Sequence, residues 1–144
     1  MPISGGNAKR VLFGAINART AARLFLARRR QRGEDFRAFL RLVRRHYRGW
    51  HVALVLDEDS SHTARASRGL AAALGIELLW LPKRSPHLNP MDHLWRHAKG
   101  VVCANRQHRA IDEEVERFTD FLRGLSAAET FIKSGMWSQD FWLH

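Results

Sequence analysis

Val52-Ala53-Leu54-Val55-Leu56 is an unbroken apolar run, and a second run, Ile76 to Leu81, follows after one helix-sized interval. Runs this short, rich in Val, Ile and Leu, suit strands of a parallel sheet, and the first is expected to be buried on both faces. The interval from about Thr63 to Leu74 reads as a helix closed by Gly75. Strand, helix and strand in succession predict an α/β unit with a parallel crossover. The first strand ends abruptly in Asp57-Glu58-Asp59 and the second is stopped by Pro82.

The flanking segments complete an α/β domain. Val11 to Asn17 and Ala21 to Ala27 are apolar, with the polar Ala-Arg-Thr between them, and read as an antiparallel hairpin. Glu34 to Arg48 is amphipathic: Phe36, Phe39, Leu40, Val43 and Tyr47 recur every three or four residues, and Gly49 supplies a stop. The opposite face carries Arg37, Arg41, Arg44, Arg45 and Arg48. Asn89-Pro90 opens a further helix, to about Ala104, with Asn as N-cap and Pro at the first helical position. Ile111, Val115, Phe118, Leu122 and Leu125 mark another, and Ser126-Ala-Ala-Glu129 is a capping box for a last one. With no internal repeat, low-complexity tract or linker, residues 1–144 are expected to form one domain.

No apolar run approaches the ~18–20 residues of a membrane span, and the N-terminus lacks the apolar stretch of a secretory signal. A single cysteine, Cys103, excludes an internal disulfide and a multi-cysteine zinc site, and reads as a small helix residue. A cytoplasmic protein fits these features. Charge says more. The net charge is +10, with 13 Lys/Arg against 2 acids in residues 1–50 and 11 against 12 in the remainder. A basic half beside a neutral one is the footprint expected for binding a phosphate backbone; a solvated arginine-rich surface is the other reading.

Two acids stand out. In open α/β sheets ligands bind beyond the carboxyl ends of the strands, and Asp57 follows such an end. Asp92 falls in the first turn of the helix opened by Asn89-Pro90, where the helix dipole favours a carboxylate, and oriented carboxylates suit a hard cation such as Mg²⁺. Either acid could instead serve only a helix terminus. Trp95 and Lys99 lie near the same helix face as Asp92, where they flank it or simply pack.

Asp57 and Asp92 have 34 residues between them. The stretch around the second, Leu81-Pro82, Ser85-Pro86, Leu88-Asn89-Pro90, Met91, Asp92, Trp95 and Lys99, resembles the signature around the last catalytic acid of mariner-type and related bacterial insertion-sequence transposases of the DDE superfamily. Leu54-Val55-Leu56-Asp57 with His62 is similar to the signature of the second acid, and Val11-Leu12-Phe13-Gly14-Ala15 resembles the family's Phe-Gly-Ala strand. The resemblance covers roughly residues 10–105. It implies an RNase H-like mixed sheet flanked by helices, and an enzyme that cuts and joins DNA with two Mg²⁺ or Mn²⁺ ions held by carboxylates. Asp57 would bridge the metals and Asp92 would bind one. Lys83, Arg84, Arg96 and Lys99 would contact the DNA backbone, and His62 either contacts DNA or starts a helix. Implied partners are DNA, both element ends and target, and a second copy or an upstream transposase segment.

The chain departs from the pattern in places. The last acid is Asp, as in mariner elements proper, where bacterial members usually have Glu, and Glu58 stands where Asn is common. The family's first catalytic Asp lies on a strand before the hairpin, yet residues 1–33 contain no Asp or Glu. The expectation is a catalytic domain lacking its N-terminal strand and first acid. Alternatives are an inactive DNA-binding remnant, the downstream half of a frameshift-split transposase, and an unrelated basic α/β module whose two acids merely cap helices.

Overall fold

The computed structural model describes residues 2–5, 8–56, 60–81, 89–102 and 111–135. Among them are five strands and six helices, and the chain divides into two compact units, Met1–Arg29 with Pro86–His144, and Arg30–Ser85. No helix of the described residues is long and apolar enough to cross a membrane.

The first unit is built on the expected hairpin, β2 (Ala8–Ile16) against β3 (Arg23–Arg28), in a register that sets Gly14 opposite Phe25. Asn17 makes the turn. Its side-chain oxygen accepts the backbone N–H groups of Arg19 at 2.8 Å and Thr20 at 3.2 Å, which is why a short polar residue sits there. An additional strand, β1 (Pro2–Gly5), pairs antiparallel with β2 and makes β2 the centre of a three-stranded sheet. Four residues opened by a proline carry too little periodicity to announce a strand, and a proline there suits an edge position. α4 (Pro90–Val102), α5 (Ile111–Gly124) and α6 (Ala127–Ser134) complete the unit. Its core joins Ile3, Leu12 and Phe25 of the sheet to Leu94, Trp95 and Ala98 of α4 and to Phe118 and Leu122 of α5.

One arginine ties this core together. Arg23 of β3 donates through Nη1 to the carbonyl oxygens of Leu122 (3.0 Å) and Leu125 (2.8 Å) and to the hydroxyl of buried Thr130. It thereby satisfies acceptors left over at the α5 terminus and joins α5 to α6. Burial lowers the Arg23 pKa from its ordinary value, but an arginine stays charged throughout the neutral range. Arg23→Met, which keeps the apolar stem, should cost about 2–3 kcal/mol, since hydrogen bonds to a charged donor are lost and buried acceptors stranded. Thermal denaturation should show a drop of roughly 6–12 °C; an unchanged midpoint would remove Arg23 from this role. At the start of α6 the expected capping box forms, with Ser126 Oγ accepting the Glu129 N–H and Glu129 accepting the Ser126 N–H, each at 3.0 Å. The Ser126 backbone N–H first, and its hydroxyl second, hold the Glu129 carboxyl below its ordinary range. The cap is therefore intact above that range and is lost only as pH falls through the depressed folded value.

The second unit contains the parallel crossover. β4 (Val52–Leu56) pairs with β5 (Ile76–Trp80) from Val52↔Ile76 to Leu56↔Trp80. The intervening helix is broken in two, α2 (Ser60–Thr63) and α3 (Arg65–Ala73), because Ala64 takes an extended ψ of 139°. α1 (Gly33–His46) packs on α3 through its apolar stripe of Phe36, Phe39, Leu40 and Val43. The expectation that the VALVL strand is buried on both faces does not hold. Val52 and Leu56 are buried, while Val55 is 60% and its partner Leu79 43% exposed. Helices cover one face of this two-stranded sheet, and nothing among the described residues covers the other.

Candidate functional site

α4 sets the position of Asp92. Asn89 is the N-cap, its side-chain oxygen accepting the N–H of Met91 at 3.1 Å and of Asp92 at 3.4 Å. Pro90 and Met91 are then the first two helical residues and Asp92 the third, half-buried in the first turn. A carboxylate there lies beside backbone N–H groups that have no intrahelical partner, which holds it in place whether it serves the helix or a bound cation.

One turn further on, Trp95 fixes α4 against the sheet. The residue is 8% exposed, with ring-centroid distances of 5.7 Å to Phe25 and 5.9 Å to Phe118. A Cβ built on Gly14 would fall 2.6 Å from Trp95 Cζ2, 2.7 Å from Cη2 and 2.8 Å from Met91 Cε. Gly14 is glycine because the indole lies directly on the β2 backbone. Of the two roles open to Trp95, it packs. The Phe-Gly-Ala strand and the tryptophan three residues after the acid, far apart in the sequence, are thus two halves of one contact. Reading the chain by itself missed this pairing, although a lone glycine inside an apolar strand is the signal for such a close approach.

The remaining candidates separate. Arg96 is exposed on α4 one turn after Asp92, and Lys99 lies a further turn on. His62, on α2, has its ring 4.4 Å from that of the buried Phe36, so it packs against α1. Asp57, Lys83 and Arg84 lie outside the described residues, and so does the metal site that Asp57 and Asp92 would share. Among the described residues no group of three His, Cys, Asp or Glu side chains gathers in a way that could hold a metal ion. β1, which covers the free edge of β2, is Pro-Ile-Ser-Gly and brings no carboxylate.

The family model described as DDE superfamily endonuclease matches residues 4–113. The transposable element Tcb2 transposase of Caenorhabditis briggsae is 35% identical over 57 residues, 37% of this chain and 21% of that protein. An uncharacterized protein, y4pE/y4sA, of Sinorhizobium fredii (strain NBRC 101917 / NGR234) is 33% identical over 67 residues, 46% of this chain and 47% of that protein. The matched stretches thus span about a fifth and about half of these curated relatives. Among solved structures, the catalytic domain of Mos1 mariner transposase matches with a TM-score of 0.76 at 18% identity, over 93% of this chain and 72% of that one. The same domain solved with raltegravir and Mg, or with raltegravir and Mn, gives 0.76 and 0.77. At such identities the likeness is one of fold, the RNase H-like fold that the sequence motifs implied.

Proposed function

Because the chain belongs to the DDE superfamily endonucleases, we propose that it is part of the catalytic domain of a mariner-type transposase, acting on the ends of a DNA element and on its target. The observation that carries this reading is Asp92, third residue of an Asn-capped helix whose depth and rotation are set by Trp95 on Gly14. We assign Asp57 and Asp92 as the acids of the site. Both are oxygen donors, the kind a hard divalent cation takes, and they fit Mg²⁺ or Mn²⁺ in chemistry. When bound, such ions activate a water or a DNA 3′-hydroxyl and stabilise the leaving oxygen. The chain's own part is to hold the carboxylates still and to hold the phosphates. Asp92 is kept in one place by the helix start. Arg96 and Lys99, on successive turns after it, and Lys83 and Arg84, which precede α4 in the sequence, are assigned to the DNA backbone, with His62 an indirect contributor through its packing on α1.

Mn²⁺ broadens the NMR signals of nuclei near it, which tests the assignment without any need for turnover. Low Mn²⁺ should broaden amides just after β4 and in the first turn of α4 together. Asp92→Asn should weaken the apparent affinity at both by about tenfold or more, while Asp112→Asn, at an exposed position of α5, should change neither. Broadening confined elsewhere, or unaffected by Asp92→Asn, would remove the site.

A second reading, a DNA-binding chain without catalysis of its own, is favoured by one observation: neither β1 nor any other part of residues 1–33 carries an acid. In that case a second copy or a separate transposase segment would have to supply the third carboxylate.

A further inference from the structure

The amphipathic helix α1 displays a row of arginines, and the structure shows that they do different work. Arg44 is a cap. Its Nη1 donates to the Leu74 carbonyl at 3.3 Å and its Nη2 to the carbonyls of Trp50 (2.6 Å) and Tyr47, so it joins the C-terminal ends of α1 and α3. Arg37 reaches Ser67 Oγ at 3.5 Å. Arg41 and Arg45, by contrast, are exposed, with Arg48 exposed beyond them, and no hydrogen-bond or ion-pair partner engages these three among the described residues. Arg41 and Arg45 are four residues apart, about 6 Å along the axis, a spacing at which like charges repel and cost the helix a few tenths of a kcal/mol. With Ala38, Arg44 and Leu74 they line a groove of about 380 Å³ with an apolar floor and a cationic rim.

Among the described residues, acids do not neutralise this rim. The described residues between 30 and 81 include nine arginines and three acids, Glu34, Asp35 and Glu77. Asp35 is buried and accepts the Arg32 N–H at 3.1 Å, and Glu77 faces His51 at 3.5 Å. The helix dipole explains a cation in the last turn of α1 but not Arg41, which lies before it. Uncompensated charge on a rigid helix, beside a groove with an apolar floor, matches a ligand of regularly spaced anions joined by apolar links.

We propose that the Arg41–Arg45 groove of α1 is a second DNA-backbone site, separate from the acids of the catalytic site, seating the phosphodiester chain of duplex DNA without reading its sequence. This rests on the DNA-acting reading above and extends it to a surface that the family motifs do not touch. Guanidinium groups pair with phosphates bidentately, and Arg48 continues the track.

The test is fluorescence anisotropy of the full 144-residue chain with a labelled random-sequence duplex between 50 and 200 mM salt. Each phosphate contact adds about 0.9 to the slope of log affinity against log salt, so Arg41→Gln/Arg45→Gln should lower the slope by about 1.8 and shrink the affinity loss over that range by about 12-fold. Glutamine keeps helix propensity, and the melting temperature should hold or rise as repulsion is relieved. The charge-matched pair Arg65→Gln/Arg68→Gln, on exposed positions of α3, should leave the slope near wild type. Arg44→Gln should instead lower the melting temperature. A full slope in the Arg41/Arg45 variant, or an equal drop in the Arg65/Arg68 variant, overturns the groove while wild-type binding keeps the DNA reading. A wild-type chain with no salt-dependent DNA binding overturns both, and the Mn²⁺ measurement then decides separately whether the acid site stands.

Discussion

Gly14→Ala is expected to destabilise the chain by about 2–3 kcal/mol, the upper part of the range for overfilling a packed core. The added methyl meets two ring carbons of Trp95 inside 2.8 Å. Met91 Cε, the far end of a flexible side chain, can move aside. The indole cannot, because Phe25 and Phe118 flank it and its helix neighbours Leu94 and Ala98 are fully buried. Trp95→Ala should cost more, about 3–5 kcal/mol, a large share of a stability of ~5–15 kcal/mol. The two sites should also couple. In a Trp95→Leu background the clashing carbons are gone, so Gly14→Ala should cost at least about 1 kcal/mol less than in the wild type, beyond the ~0.5 kcal/mol expected of independent sites. Urea midpoints of the four proteins measure this; strictly additive values would show that Gly14 is not the seat of Trp95. Asp92 lies one turn from Trp95 on α4, so Gly14→Ala should also weaken Mn²⁺ broadening at Asp92 with no contact to the ion.

The second large effect concerns catalysis. DNA cleavage by the 144-residue chain with Mg²⁺ or Mn²⁺ should be at or near background. The chemistry that the family implies calls for three carboxylates, and the assignment made above supplies two. A missing ligand forfeits several kcal/mol of charge stabilisation in the transition state, on the order of 10³-fold in rate. Addition of a transposase segment carrying an acid-ended strand should raise cleavage by that order, and Asp57→Ala should abolish the gain. Robust cleavage by the chain alone, lost in Asp57→Ala, would mean that the third donor lies within these residues and that β1 misled the count.

Sequence patterns carried most of the elements because their causes are local. The α1 stripe, the Asn89-Pro90 start of α4 and the Ser126–Glu129 box depend on residues within one or two turns, and each forms as its spacing implied. The acid Asp92 was legible for the same reason, since its place in the first turn follows from the cap. The short strand β1 was not, because its only signature is its partner: Pro2 to Gly5 become a strand by pairing with Ala8 to Val11.

Burial and charge were harder to read. VALVL suits a strand buried twice over, but whether a second layer covers it depends on what the rest of the chain places there, and Val55 is left exposed. The arginines of α1 look equivalent in one dimension. Folding brings the ends of α1 and α3 together, turning Arg44 into a cap and leaving Arg41 and Arg45 without partners among the described residues. By itself the sequence determined the α/β class, the presence of the longer helices and the helix start that holds Asp92, because hydrogen bonds between near neighbours decide these. Only the tertiary structure decided why Gly14 must be glycine, why Trp95 follows the acid and which arginines are spent on carbonyls, because each of these depends on atoms distant in the chain that close packing brings to within a few ångströms.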